Sequence, residues 1–317
     1  MALDTLFTWG PDNAAQLLVS TLSKRPKKDI QDAVFNAIPT FEYLNKAGKV
    51  MLDGGASVIV PLEVAKNSTA QSYDGYDPVN IAAQDNHTGA QYKMKQSATA
   101  VSISEREVAQ NSGESRLLNL LNMKQKNAEK SLRDFINRKA HGASNSSTDI
   151  TSLVTLIDAT STIGDINSTS NSYWQSNVAT GGAFSGSGVA TWRTMYNTLK
   201  NRGGNPDMVI TTQTVHEAYE ATMAPQIRYT DLGNGETKFR DLHFAGAKVR
   251  FDDQCASGVS YFLDSDVLHF YIWEGCNFVY NDFVRPPEQD AKTAMFRVYG
   301  ELGTSNRRLL GKVTTQS

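Results

Sequence analysis

The sequence predicts an α+β fold, and three parts of the chain carry that prediction. Two strand-like runs, 57–65 and 91–105, flank a long polar segment. A helical pattern from about 113 to 141 follows them, and closely spaced strands with short helices occupy the region beyond 188. The chain therefore combines an extended part, one long helix and a mixed part, and no internal repeat is visible.

Composition and charge exclude several classes of protein. Of the 317 residues 40% are hydrophobic, and 31 basic residues nearly balance 33 acidic ones. This is typical of a folded protein without an overall field for nucleic acid or membranes. The first ten residues lack the basic and apolar regions of a secretory signal, and no apolar run reaches the ~18 residues of a membrane helix. We therefore expect synthesis in a cytoplasm and no insertion into a membrane.

The N-terminal part of the chain is predicted to contain two short helices. Apolar residues recur at helical spacing over 12–22 and 29–38, and Pro39 is expected to end the second helix. A basic cluster lies between the helices: Lys24, Arg25, Lys27 and Lys28. Two interpretations stay open, an arm that lies on another surface and an ordinary helical lead-in to the domain.

The polar segment from Ala65 to Gln91 separates two predicted strands, which together would form a two-stranded ribbon. So long an excursion indicates either function or disorder, and a ribbon of two strands is only marginally stable unless something covers it. The segment is therefore predicted to contact a partner. The candidate contact residues are two Tyr-Asp pairs: Tyr73, Asp74, Tyr76 and Asp77.

The predicted long helix has an apolar face and an excess of positive charge. Its apolar residues fall at intervals of four and seven, namely Leu117, Leu121, Ala128, Leu132 and Phe135. Seven bases stand against three acids, which suits either a solvated face with cations near the C-terminus or a surface that faces a polyanion. The candidates for the second interpretation are Lys124, Lys130 and Arg133.

The region after the long helix divides into a polar connector and a compact α/β part. Residues 142–188 are rich in Ser, Thr, Asn and Gly, with Trp174 as an expected anchor. A helix is predicted over 189–200, and a strand at 207–211 leads into a second helix. Further strands are predicted at 246–251, 259–264, 266–273, 277–281, 291–302 and 308–313.

A search for catalytic chemistry finds no supporting motif. The sequence has no nucleophile elbow, no phosphate-binding loop and no pair of histidines at metal spacing. The Glu217 of "HEAYE" is assigned to a capping box with Thr214 rather than to a metal. The pairing of Cys255 and Cys276 is left open. We predict no catalytic residue, no cofactor and no metal site.

The order of these parts resembles the major capsid proteins of tailed bacteriophages, whose shell fold is named after phage HK-ninety-seven. Four phrases carry the resemblance, which extends over nearly the whole chain: "NPDMVITTQTVHEAY", "GAKVRFDD", "YFLDSDVLHFY" and "FRVYGELGTSNRRLLGKV". The resemblance assigns 1–48 to an N-terminal arm, 49–104 to an extended β-hairpin loop, 105–149 to a peripheral domain with a spine helix, 150–285 to an axial domain and 286–317 to a return into the peripheral domain.

The resemblance implies a structural protein of a virion. Pentamers and hexamers of the chain would close an icosahedral shell around double-stranded DNA, with a portal protein and possibly separate scaffolding and decoration proteins as partners. The tyrosines and aspartates of the polar segment would contact a neighbouring subunit, and the basic residues of the spine helix would face the genome. Two alternatives stay open: an encapsulin-like compartment with enzyme cargo, and an α+β hydrolase or transferase with an unrecognised site.

Overall fold

The described part of the chain forms two units. The computed structural model describes residues 36–46, 48–110, 114–143, 146–184, 186–223, 242–287 and 289–316, without the side chains of 110 and 114–121. The smaller unit contains 98–132 and 278–297, and the larger contains 36–97, 133–277 and 298–316. The predicted helix at 12–22 and residues 29–35 of the second predicted helix lie outside the described residues.

Six α-helices are described, and the longest one is the predicted spine helix. They are α1 Pro39–Lys46, α2 Glu105–Gln110, α3 Glu114–Ala140, α4 Leu153–Leu156, α5 Gly188–Asn201 and α6 Gln213–Met223. Helix α3 has 27 residues, within one residue of the prediction at either end. The expectation that Pro39 ends a helix is wrong. Proline has a fixed φ and no N–H, which suits the first helical turn, and α1 begins there.

The strands confirm most of the predicted ones and divide one of them. They are β1 Lys49–Leu52, β2 Ser57–Glu63, β3 His87–Lys93, β4 Lys95–Ser104, β5 Thr162–Ile163, β6 Ile166–Asn167, β7 Asn177–Thr180, β8 Met208–Thr211, β9 His243–Phe244, β10 Ala247–Phe251, β11 Ser260–Leu263, β12 Leu268–Trp273, β13 Val279–Val284, β14 Ala291–Thr304 and β15 Gly311–Thr314. The predicted strand 91–105 is thus two strands that meet at Met94, and only β3 belongs to the ribbon.

In the smaller unit β13 pairs antiparallel with the first half of β14. The rings of Tyr280 and Phe296, which are opposite each other in this register, lie 5.1 Å apart. A salt bridge of 3.0 Å joins Lys292 of β14 to Glu105 at the start of α2. The aromatic pair therefore connects the two strands to each other, and the ion pair connects β14 to the helical part of the unit.

The larger unit is built on a six-stranded mixed sheet with the strand order β7-β15-β11-β8-β10-β9. Trp192 of α5 is fully buried and lies at the centre of its core. Its ring centroid is 5.0 Å from those of Phe184 and Tyr219, and 5.4 Å from that of Phe244. Tilted and edge-on rings fill this core densely, which confirms the predicted compact α/β part.

The larger unit also contains β1, β12 and the end of β14, together with the two strands of the ribbon. Strand β12 pairs in parallel with β1 and antiparallel with Gly300–Thr304 of β14. Strands β2 and β3 pair with each other in a separate two-stranded sheet. The end of β14 thus lies in the same unit as the ribbon. We call this larger unit, without β2, β3 and the segment that joins them, the body.

Candidate assembly surface

The ribbon extends over seven residue pairs, from Ser57 opposite Lys93 to Glu63 opposite His87. One of its faces is covered by its own chain, since Ala90 and Tyr92 are buried. On the opposite face Ile59 is 67% exposed. Residues 87–91, predicted as part of an uncovered polar segment, thus belong to a strand that packs on the body.

The finger, residues 64–86, begins where the ribbon ends. The Val64 N–H donates to the Asn86 carbonyl at 2.9 Å and closes its base. At its tip the Asp77 N–H donates to the Asp74 carbonyl at 2.9 Å, and Gly75 takes a φ of +44° in this turn. All residues of the finger are described, and the hydrogen bonds found for them stay within residues 64–86.

The four candidate contact residues occupy this tip, and the structure divides them into two kinds. Asp74 and Asp77 shape the turn, because the Asp77 carboxylate also accepts the Asp74 N–H at 3.3 Å. Tyr73 is 62% exposed and Tyr76 is completely exposed, like Ile81 at 92%. Exposed rings and an exposed isoleucine on one finger offer apolar area that association would bury.

The root of the ribbon is fixed by residues that the sequence analysis did not single out. The Gln91 N–H donates to the Gly164 carbonyl at 3.0 Å. The Tyr92 hydroxyl donates to the Thr304 carbonyl at 2.8 Å and accepts the Thr304 N–H at 3.2 Å. A signal for Gly164 was present, because Gly-Asp between two isoleucines is typical of a two-residue hairpin turn.

Arg307 organises the connector that carries Gly164. Its side chain is completely buried, and its guanidinium donates to the carbonyls of Leu156 and Asp158, both at 2.8 Å. Further acceptors are Thr155 O, Ser161 O, Ser161 Oγ and Ser168 Oγ. Burial lowers the pKa of Arg307 to about 10. The guanidinium thus replaces water for a set of inward-pointing carbonyls, as buried polar groups require.

The three candidate DNA-facing residues do not share one environment. Lys124 is half-buried and donates to Glu107 Oε2 at 2.9 Å and to the Ser102 carbonyl at 3.1 Å. Burial opposes the charge of Glu107, but its hydrogen bonds from Lys124 and Ser104 outweigh this, so the pKa of that carboxyl lies below its ordinary value. Lys124 therefore has a structural partner within its own unit.

Lys130 and Arg133 are exposed, and Lys126 is exposed with them. With 3.6 residues per turn these three positions, spaced by four and three, lie along one side of α3, whereas Lys124 lies on another side. Their assignment to the genome stays a prediction.

A hydroxyl, an imidazole and a carboxylate lie together at the start of α1, and all three residues are at most 5% exposed. The Thr40 hydroxyl donates to Asp252 at 2.7 Å and lies 2.8 Å from His141 Nε2. Burial acts against the charge of Asp252, yet the His141 imidazole, whose Nε2 lies 3.6 Å from Asp252 Oδ2, and the hydrogen bond from Thr40 lower the pKa of this carboxyl to about 2. The Asn137 side-chain amide also donates to Asp252, and its oxygen Oδ1 accepts the Phe41 N–H. The cluster ties α1 to the end of α3, which is a structural role.

The described residues contain no group of three metal-ligating side chains, and none of their helices is long and apolar enough to cross a membrane. Cys255 and Cys276 are not paired with each other. The proposed capping box is wrong: α6 begins at Gln213, before Thr214, and Glu217 accepts from the Gln213 side chain at 2.7 Å.

Comparisons with known proteins find similarity in structure and not in sequence. No protein-family model matches the sequence, and no curated protein matches it significantly. The capsid asymmetric unit of cyanophage A-1(L) matches with a TM-score of 0.68 at 15% identity, over 92% of this chain and 96% of that chain. The capsid of an empty GTA particle matches with a TM-score of 0.61 at 11% identity, over 91% of this chain and 100% of that chain. The SrpI encapsulin complex of Synechococcus elongatus PCC 7942 matches with a TM-score of 0.59 at 8% identity, over 94% of each chain.

These likenesses establish the fold. The chain has the α+β shell fold named after phage HK-ninety-seven, with helices and strands matched over more than nine-tenths of its length. The fold predicted from the sequence is confirmed. Because the identities lie at 15% and below, the function of the chain has to be argued from its own residues.

Proposed function

We propose that this protein is a major capsid protein, a structural subunit that assembles into an icosahedral shell around double-stranded phage DNA and becomes part of the virion. Its role is structural rather than catalytic. Copies of the chain contact one another through the finger, whose exposed Tyr73, Tyr76 and Ile81 are buried by a neighbouring copy. Portal, scaffolding and decoration proteins are the further partners that the fold suggests.

One observation carries this proposal. The finger has no core and no hydrogen bond to the rest of its own chain among those found, yet it is held on a ribbon whose root is firmly bonded to the body. A subunit that functioned alone would gain nothing from an exposed, apolar tip on a rigid support. A subunit that meets further copies of itself gains both contact area and a fixed direction of contact.

Replacing 66–84 by a two-residue Asn-Gly turn tests the proposal, because Ala65 and Asp85 are then the residues that flank the turn. The register between β2 and β3 is kept, and Ala90 and Tyr92 remain on the body. We expect a folded subunit with a nearly unchanged melting temperature that forms no closed shells in electron micrographs. Closed shells of wild-type size from this variant would refute the role of the finger.

A matched pair of substitutions separates the finger from the general effect of losing an apolar side chain. Ile81 is 92% exposed in the finger, and Val284 is 69% exposed outside it. We expect Ile81→Ser to reduce the yield of closed shells strongly, and Val284→Ser to reduce it much less. Sedimentation of the assembled fraction measures both, and equal yields would show that the finger contributes no specific contact.

The exposed bases of α3 are proposed to face the packaged genome. The double variant Lys130→Glu/Arg133→Glu should form shells that retain less DNA, because it removes two phosphate contacts and adds repulsion. Lys124→Glu is the control, since Lys124 is bonded to Glu107 and should alter the stability of the subunit rather than DNA retention. The ratio of nucleic acid to protein in purified particles measures the difference, and equal ratios would remove this assignment.

An encapsulin-like compartment is the second candidate, and the likeness to the SrpI encapsulin favours keeping it. The two functions use the same shell and differ in its contents. Particles purified from the native source contain DNA in the first case and protein cargo in the second.

A further inference from the structure

Two hydrogen-bonding groups of the ribbon join it to the body, and both connect it to segments that adjoin or contact Arg307. The first is the Tyr92 hydroxyl on Thr304, which precedes Arg307 by three residues. The second is the Gln91 N–H on the carbonyl of Gly164. Gly164 is distant from Arg307 in sequence, so its connection has to run through the connector.

The connection passes through Trp174. The Trp174 indole N–H donates to the Ile163 carbonyl at 2.9 Å, one residue before Gly164. The Arg307 guanidinium lies over the Trp174 ring, 5.9 Å from its centroid. Ser168 donates to the Trp174 carbonyl and also contacts the guanidinium. We call residues 153–176 the bracket, since Arg307 fixes them and their turn supports the ribbon.

The tip of the bracket fits against the ribbon without space for a side chain. Gly164 and Asp165 both have a φ of 63°, as in a tight two-residue hairpin turn. A Cβ atom on Gly164 would lie 2.8 Å from the Cβ of Ala90 and 3.3 Å from the Gln91 nitrogen. Any larger residue at this position must therefore displace the ribbon, the turn, or both.

We propose that Arg307 is a positioning residue for assembly: by fixing the bracket, it sets the direction in which the ribbon carries the finger away from the body. The consequence for shells rests on the proposed function, whereas the direction of the finger is a property of the single subunit. A purely stabilising bracket would leave that direction unchanged as long as the subunit is folded.

Gly164→Ala tests the bracket while leaving every partner of Arg307 in place. Its control is Gly246→Ala, because Gly246 has a φ of +98° and open space at its Cβ position. Both variants carry the cost of a side chain at positive φ, but only the first meets Ala90. The double variant Gly164→Ala/Ala90→Gly removes the nearest obstructing atom, the Ala90 Cβ, and leaves the looser contacts of 3.2 Å to the Ala90 Cα and 3.3 Å to the Gln91 nitrogen, so it should restore most of the wild-type position.

The direction of the finger is measured in the unassembled subunit by electron paramagnetic resonance. Spin labels are placed at Tyr76→Cys in the finger and at Asn197→Cys on the exposed side of α5, in a Cys276→Ser background. Cys255 is buried, and burial together with the nearby Asp252 raises the pKa of its thiol to about 12, so we expect it to react far more slowly than the two introduced thiols. Arg307→Lys is measured as well, because lysine keeps the charge but cannot reach both groups of carbonyls.

We expect Gly164→Ala and Arg307→Lys to displace and broaden the distance distribution and to lose closed shells. The double variant should largely reverse both effects of Gly164→Ala, and Gly246→Ala should show neither. An unchanged distribution in folded Gly164→Ala overturns the proposal, and so does a displaced finger with normal shells. If Arg307→Lys does not fold, Gly164→Ala decides. If the wild type forms no shells, the proposed function fails, and the distances still decide the direction of the finger.

Discussion

The finger and the connector are two polar segments of similar composition with opposite structures. Both are rich in small polar residues, and from sequence both read as long loops. In the finger, residues 64–86, nearly all side chains are exposed and the hydrogen bonds found are local. In the connector, Trp174, Ser168 and the two leucines of α4 are buried, and six oxygen atoms accept from Arg307.

The difference teaches where polar segments find their partners. A backbone carbonyl taken out of water needs a donor, and one distant arginine with five donors in a planar fork can serve many carbonyls at once. The connector has such a donor on its own chain. The finger has none, so it stays in water until another surface covers it.

Replacing Arg307 is expected to have the largest effect on the difference between the connector and the finger. Arg307→Met leaves several buried carbonyls without a donor, and we expect a loss of about 3–5 kcal/mol in the free energy of unfolding. Arg308→Met is the control, because the neighbouring Arg308 is exposed and should change stability by no more than about 0.5 kcal/mol. Chemical denaturation measures both variants. Equal stabilities would mean that the connector is held by something other than Arg307.

Glu301, a buried carboxylate of β14 that accepts the Thr151 N–H of the connector, gives a smaller, pH-dependent effect. Burial raises the pKa of Glu301 to about 7, although its Oε1 accepts the N–H groups of Thr151 and Leu302. The folded protein therefore binds this proton more tightly than the unfolded chain does. Its stabilising contribution is complete below the ordinary pKa of a glutamate and is lost as the pH rises through 7.

Glu301→Gln keeps the accepting oxygen and removes the ionisation. We expect this variant to be more stable than the wild type at pH 8, by roughly 1–3 kcal/mol, and to lose that advantage towards pH 5. Melting temperatures of the two proteins between pH 5 and pH 8 measure the effect. A difference that does not vary with pH would exclude ionisation of Glu301 as its cause.

The smallest expected effect on stability belongs to the finger, and it completes the contrast. Tyr76 is completely exposed, so Tyr76→Ser should change the free energy of unfolding by less than about 0.5 kcal/mol while reducing shell formation. Tyr92→Phe, at the root of the same ribbon, should cost about 1–2 kcal/mol through its lost hydrogen bonds to Thr304. Thermal unfolding compares the two. A strong destabilisation by Tyr76→Ser would mean that the finger contributes to its own subunit.

Much of the fold could be predicted because its signals are local. The apolar periodicity of α3 and the turn residues around β8 to β12 give these elements close to their observed bounds. Pro39 was misjudged because proline suits both the start of a helix and the residue after one, and only the packing of Thr40 and Phe41 against Asp252 and Asn137 decides between them.

The candidate surface could be predicted only in part. The polar composition and the two Tyr-Asp pairs located the finger, but the separate role of Asp77 in its turn needs the backbone. Lys124 was grouped with Lys130 and Arg133 on charge alone, whereas its bond to Glu107 depends on how α2 meets α3. These are contacts between elements, and sequence spacing does not encode them.

The amino-acid sequence by itself determined the order of elements, the long helix, the strands of the α/β part and the presence of a polar finger, since periodicity, turn chemistry and composition act over short stretches of chain. Tertiary structure alone decided which polar segment is buried and which is exposed. That choice depends on Arg307, more than 130 residues from the carbonyls that it serves, because a donor satisfies an acceptor by its position in space.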